Sequence, residues 1–350
     1  IDARAELVAV CDRKDAARQW LAERIPSVRQ STADYRELLA NPEVEAVYCA
    51  VPHNLHQELY CAIIGAGKHL LGEKPFGMDK PANDAILAGA AQHPRQLVRC
   101  SSEMAFYPAA QRIFGMIETG AFGRVIEVNT GFLHSSDLDP DKPINWKRLV
   151  EVNGEYGVMG DLGLHACHVP FRAGWRPLNV RAVLSDIIKE RPDGQGGRVP
   201  CRTWDNATLL CETTRAAGGE PFPWTIRLQR IAPGEKNTWY VEIKGTQGCA
   251  RFSTKNPKLL ETLRYAGGEQ SWQQTDIGYE PAFKAITGGI FEFGFSDACL
   301  QMLAAFAYEL AHGRPLRPAA GCLTPQDTAL SHRLFTAALE SERRKATVVV

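Results

Sequence analysis

The chain has 350 residues, long for a single domain, so two domains are expected. Hydrophobic residues make up 45% and charged residues 23%, with 40 basic residues balancing 40 acidic ones. That balance supplies no basic field for nucleic acid or an anionic membrane, and no apolar run is long enough to span a bilayer.

The first 101 residues alternate strand and helix patterns. Residues 6–11, ELVAVC, form an apolar run ending at Asp12 and predict a buried strand. Residues 14–24 carry a helical pattern through Ala17, Trp20 and Leu21. Ser31 and Thr32 precede DYRELLA, a short helix. Strands are expected at 44–51, 68–73 and 96–101, with helices at 55–66 and 80–92 between them. Such βαβ units predict a parallel, Rossmann-type sheet.

The pattern changes after residue 102. Helices are expected at 108–119, 158–174, 296–312 and 324–341. Strands are expected at 124–133, 178–187, 206–214, 224–230, 238–245 and 248–253, mostly without helices between them. This half predicts an α/β domain with a large, mostly antiparallel open sheet. The division is therefore 1–102, a dinucleotide-binding domain, and 103–350, a substrate-binding and oligomerisation domain. Residues 188–203, rich in Gly, Pro and charge, read as a mobile loop over a site.

The ten cysteines stand singly, with no C-x-x-C pair. That argues against a zinc site or redox dithiol and for free thiols in a reducing, cytoplasmic compartment.

Three motifs carry chemistry. Asp12 ends its strand where dinucleotide-binding folds place an acid on the adenosine ribose, although Asp also ends many strands as a turn former. Arg13 and Lys14 follow and could hold a ribose phosphate instead, so NAD and NADP both stay open. The glycine fingerprint of such folds lies about 20 residues upstream of the acid. Only eleven residues precede Asp12, so the first strand, glycine turn and helix of the natural chain are expected to lie outside this sequence. A sheet without that central strand would leave backbone unpaired on two neighbours.

The second motif is L-L-G-E-K-P-F-G, with Glu73, Lys74 and Pro75. A lysine at the carboxyl end of a parallel strand faces the ligand crevice. Its ammonium can bond a substrate hydroxyl and stabilise alkoxide character as hydride leaves. The third is G-D-L-G-L-H-A-C-H, with Asp161, His165 and His168. On a regular helix Asp161 and His165 share a face, and a carboxylate beside an imidazole raises its basicity, which suits a general base. A helix-face ion pair or a metal site would also use these three residues. No further ligand cluster accompanies them, and no metal is expected.

A-V-P-H-N-L-H followed by G-A-G-K-H-L-L-G-E-K-P, then G-D-L-G-L-H, resembles the Gfo/Idh/MocA family of oxidoreductases. Pro52, His56, Gly67, Lys68, His69, Glu73, Lys74 and Pro75 match its pattern, while Val51 and His53 replace the usual Thr and Asn. The resemblance implies catalytic roles for Lys74, Asp161 and His165, with His168 touching substrate. It implies a nicotinamide cofactor against Asp12, Arg13, Ala50, Val51, Pro52, His53, His56, Glu73 and Lys74. It also implies that the Lys74–Pro75 bond is cis. Trp146 resembles a family Trp-Arg pair beside the nicotinamide, but Lys147 stands where the Arg is expected, and a buried core tryptophan is the other reading. His134, Asp137 and Arg172 are unranked candidates for the pocket wall.

The implied activity is hydride transfer between NAD(P) and a secondary alcohol of a sugar, cyclitol or glycoside. Two alternatives stay open: glycoside cleavage through transient oxidation and elimination, and a non-catalytic ligand-binding or regulatory protein on the same fold. The implied assembly is a homodimer or homotetramer built on the open sheet face.

Overall fold

The computed structural model describes residues 4–216, 218–277, 281–286, 289 and 291–350. Its first part runs β1 (Ala9–Cys11), α1 (Asp15–Arg24), β2 (Gln30–Thr32), α2 (Tyr35–Ala40), β3 (Ala46–Cys49), α3 (His56–Gly65), β4 (His69–Gly72), α4 (Lys80–Gln92) and β5 (Val98–Cys100). Only β2 is new relative to the sequence expectation. Gln-Ser-Thr has no apolar run to mark a strand, and its Ser and Thr imitate a helix cap. The cap of α2 is in fact Asp34, whose side chain accepts from the Arg36 N–H. Asp79 caps α4 in the same way, with Pro81 in the first turn.

β1 pairs with β2, and β4 lies between β3 and β5, all parallel. Helical crossovers between buried strands require that arrangement. Among the described residues the two groups are not hydrogen-bonded to each other, so β1 and β3 each carry one edge without a ladder partner. The strands run parallel within each group, and Asp12, Ala50, Glu73 and Ser101 each follow the carboxyl end of a strand.

The second part runs α5 (Pro108–Glu118), β6 (Val125–His134), α6 (Val150–Asn153), α7 (Leu164–Arg172), β7 (Trp175–Pro177), β8 (Asn179–Ser185), β9 (Glu190–Pro192), β10 (Arg198–Pro200), β11 (Asn206–Arg215), β12 (Phe222–Gln229), β13 (Lys236–Gly245), β14 (Gly248–Ser253), β15 (Leu259–Arg264), β16 (Gln273–Asp276), α8 (Phe295–His312), α9 (Pro325–Arg344) and β17 (Val348–Val349). The large sheet has the order β16-β15-β14-β13-β6-β12-β11-β8-β17, with β7 joining β11. β12 on β6 is its parallel pair, and the other pairings are antiparallel.

Strand alternation sorts the two faces. Ala207, Leu209 and Cys211 point into the core, where α5, α7 and α9 pack. The outer face is less apolar than expected. Val183 and Leu210 are exposed there, but the pairs Glu127–Lys244 and Arg251–Glu261 cross it.

Residues 188–203 are not a loose loop. They form the β9–β10 hairpin, from which the buried Arg191 donates to the carbonyls of Asp137, Asp139 and Lys142. The hairpin clamps the loop that follows β6. The C-terminal segment also departs from a simple two-domain division. α9 bonds Asn83 of α4 through Thr328, and its Ser341 and Glu342 accept from the β8 backbone. One hydrophobic core runs through both parts.

Gly72 ends β4 with no room for a side chain. A Cβ there would lie 2.7 Å from the Tyr60 ring and 2.8 Å from Phe76. Tyr60 in turn donates its hydroxyl to the Glu73 carbonyl at 3.0 Å. Gly72→Ala is therefore expected to displace both rings and cost about 1–3 kcal/mol. A lowered midpoint in urea unfolding checks this.

Candidate active site

Lys74 stands two residues past the end of β4, on a turn that the structure folds with a cis Lys74–Pro75 bond. His332 of α9 donates from Nε2 to the Pro75 carbonyl at 2.8 Å and holds the turn from behind. His56 braces it from the side. Its Nδ1 accepts from the Gly77 N–H, so its Nε2–H must donate to the Val51 carbonyl at 3.1 Å. With both ring nitrogens used and no exposure, His56 ties two loops together and presents nothing to a cofactor.

The Lys74 ammonium donates to Asp161 twice, to Oδ1 at 2.7 Å and to the backbone carbonyl at 2.8 Å. Asp161 is buried and meets two further cations. Lys147 Nζ lies 2.9 and 3.1 Å from its two oxygens. Arg230 approaches Oδ2 with Nε at 3.1 Å and its terminal NH2 at 2.9 Å. Burial opposes the charge on Asp161, yet Lys74, Arg230 and Lys147 together hold its carboxyl well below the usual range. Burial also opposes the charge on Lys74, but Asp161 and Glu73 outweigh it and keep the ammonium above its usual value.

His165 departs from the expected pairing with Asp161. Residues Met159–Gly163 form a π turn before α7 begins at Leu164, so regular helix spacing does not apply between them. The His165 ring bonds Ser102 instead, Nδ1 to Oγ at 3.1 Å, with the Glu103 carboxylate 3.8 Å away. Its carbonyl accepts from the buried Trp239 Nε1 at 2.9 Å, and Phe132 stands edge-on to its ring. Burial, and then Lys74, push its pKa down to about 3, the opposite of the expected rise in basicity. The ring is neutral near pH 7, and its Nε2 has no hydrogen-bond partner among the described residues. Ser102 lies just past β5, the strand beside β4, and Ser101 donates to the Gly72 carbonyl, so His165 and Lys74 share one crevice.

Gly163 lies between Asp161 and His165 because α9 comes close there. A Cβ would sit 2.4 Å from the Phe335 ring. His168 is 1% exposed and donates from Nδ1 to the Ser102 carbonyl, which sets it behind His165 as a support. Arg172 points away, toward the Pro318 carbonyl and Asp327. Asp137 is bound by Arg148 at 3.0 Å and Lys142 at 2.9 Å.

On the nucleotide side, Asp12 and Arg13 are exposed after β1. Ala50, Val51 and Pro52 follow β3, and Glu73 accepts from the Tyr48 hydroxyl at 2.7 Å. His53 donates from Nδ1 to the Asn153 carbonyl and meets the half-buried Trp146 edge-on, with ring centroids 4.9 Å apart. Trp146 is therefore at the crevice, not in the core.

Lys147 and Arg230 were not among the expected site residues. Arg148, the arginine nearest Trp146, is fully buried between Asp137 and Asp205. Lys147 is the residue that faces the crevice. The signal for Arg230 was strand parity. Phe222, Trp224, Ile226 and Leu228 all point inward, and residue 230 continues that series.

Residues 2–99 match the GFO_IDH_MocA family, an oxidoreductase family with an NAD-binding Rossmann fold. That segment is thus similar in sequence to the Gfo/Idh/MocA oxidoreductases, and the chain as a whole is similar in fold to solved structures. It is 27% identical over 244 residues to levoglucosan dehydrogenase from Pseudarthrobacter phenanthrenivorans, a match covering 66% of this chain and 61% of that protein. The chain thus spans under two thirds of that curated relative. An oxidoreductase domain protein from Kribbella flavida superimposes with a TM-score of 0.88 at 23% identity, covering 99% of this chain and 90% of that one. Levoglucosan dehydrogenase in complex with NADH and L-sorbose gives 0.84 at 22% identity, over 98% and 89%.

Two outcomes follow from the charges. Asp161→Asn leaves three cations around a neutral amide and is expected to cost about 3–5 kcal/mol, read as a fall in the urea midpoint. His56, His165 and His168 are pushed down to about 3, and His134 and His332 to about 4. Unfolded histidines take up protons near pH 6.5, so below that the unfolded chain binds more protons. Stability should fall steadily as pH drops from about 6.5 toward about 4. Urea midpoints that stay level across that window would contradict the burial of these rings.

Proposed function

We propose that this protein transfers a hydride between a nicotinamide cofactor, NAD or NADP, and a secondary alcohol of a sugar, cyclitol or glycoside. The observation that carries the reading is the pairing, in one crevice, of a cationic Lys74 with a neutral His165. Support also comes from the NAD-binding description of the matched family and from the dehydrogenase named among the relatives.

The residues present fit such a cofactor: an exposed carboxylate after β1, then backbone and Trp146 around the ends of β3 and β4. Asp12, Arg13, Ala50, Val51, Pro52, His53, Glu73 and Trp146 would hold it. When bound, the cofactor supplies the hydride acceptor or donor. Lys74 grips the reacting hydroxyl and stabilises negative charge on its oxygen. His165, neutral, takes the hydroxyl proton when Ser102 Oγ accepts from its Nδ1–H and leaves Nε2 free. Asp161 keeps Lys74 charged and aimed, a positioning role rather than support for His165.

The amphipathic outer sheet face would join copies of the chain into a dimer or tetramer. The ten free cysteines are consistent with a reducing, cytoplasmic setting. No described helix is long and apolar enough to cross a membrane.

Lys74→Ala and His165→Ala are each expected to lower turnover by about 10²–10⁴-fold. Cofactor affinity, measured by fluorescence titration with NADH, should change far less. Parent-like turnover, followed at 340 nm, would rule out these roles.

A further inference from the structure

The charges around Asp161 are unevenly compensated. Near Lys74 stand two more carboxylates, Glu73 and Glu103, and both contribute to holding its ammonium charged. Lys147 has no acid of its own among the described residues. Its one anionic partner is Asp161, already bonded by Lys74 and Arg230. The nearest other acids are committed: Asp137 to Arg148 and Lys142, Asp205 to Arg148 and to the N–H groups of Ile187 and Ile188. His134, at the end of β6 in the same field, is neutral near pH 7, pushed down to about 4 by burial. Burial, with Lys74 and Arg230 nearby, holds Lys147 below its usual range despite Asp161. This end of the crevice therefore carries excess positive charge in a low-dielectric setting, where a bound anion is worth more than in water.

The geometry makes that charge reachable. The Lys147 side chain is 36% exposed, whereas Arg230 is 1% exposed and serves as a fixed background cation. Lys147 bonds the same Asp161 oxygen as Lys74, so its ammonium stands beside the group that would grip the reacting hydroxyl. Its loop is also rigid. Arg191 clamps residues 137–142, Arg148 is locked between two aspartates, and Arg230 and Thr203 both donate to the Lys147 carbonyl.

We propose that Lys147 reads a carboxylate on the substrate, so that the preferred substrates are sugar acids rather than neutral sugars. This rests on the dehydrogenase reading for the reacting hydroxyl. One accessible ammonium matches one unit charge, which favours a carboxylate over a phosphate monoester carrying nearly two.

Calorimetric titration of the full chain, with NADH present, uses D-glucuronate, D-galacturonate, D-glucuronate methyl ester and D-glucose 6-phosphate. At least one acid should bind about ten-fold or more tightly than the ester, and the gap should narrow as NaCl is raised. Lys147→Gln should remove most of the gap and Lys147→Arg should keep it. Equal affinity for acid and ester, binding of none, tighter binding of the phosphate, or an acid preference that Lys147→Gln leaves intact would each overturn the proposal. NADH formation at 340 nm separates the two readings. A chain that oxidises neutral sugars without acid preference loses this inference and keeps the dehydrogenase. One that binds the acid selectively but oxidises no sugar does the reverse.

Discussion

A single buried carboxylate organises this crevice. Asp161 is met by Lys74 from the turn after β4, Lys147 from the loop after β6, and Arg230 from the end of β12. Those segments are far apart in sequence, and Asp161 itself belongs to a fourth, the π turn. Drawing these cations out of water is costly, and the carboxylate offsets that cost by answering all three at hydrogen-bond distance. The arrangement thereby fixes where the two parts of the molecule meet. It also fixes the reach of the two lysines that line the crevice.

The same neighbourhood drives two titratable groups in opposite directions. Lys74 is held charged by the acids around it, while His165 is held neutral by burial and by Lys74. A site with a fixed cationic hydrogen-bond donor beside a neutral imidazole is suited to steadying one oxygen while the ring receives its proton. The roles divide by environment rather than by residue type. His56 and His332 are also buried and neutral, but hydrogen bonds use both of their ring nitrogens, and His168 spends its Nδ1 on the Ser102 carbonyl behind His165.

Much of the fold was legible because its elements are periodic. The helix at 80–92 and the strand at 248–253 fall where the pattern puts them. The missed strands lack that signal. β2 is polar, and β9, β10, β15 and β16 are short, charged or half-exposed, so no alternation marks them. At the site, Lys74, Asp161 and His165 were legible as motifs. Their bonding was not. The spacing from Asp161 to His165 suggested a contact only because a regular helix was assumed, and the π turn breaks that assumption. Lys147 and Arg230 act through tertiary convergence, which local sequence does not encode. Ser102, the actual partner of His165, is an unremarkable serine after a short strand.

α9 bears on how this crevice can move. It touches the nucleotide side through Asn83 and Pro75, and the large sheet through the β8 backbone. One stiff helix thus spans both walls. Two lobes strapped together in this way cannot swing apart like a hinged jaw without breaking buried hydrogen bonds. Traffic into the crevice must then depend on side chains and surface loops at its mouth. A fixed frame of this kind trades wide opening for a constant alignment of Lys74 and His165.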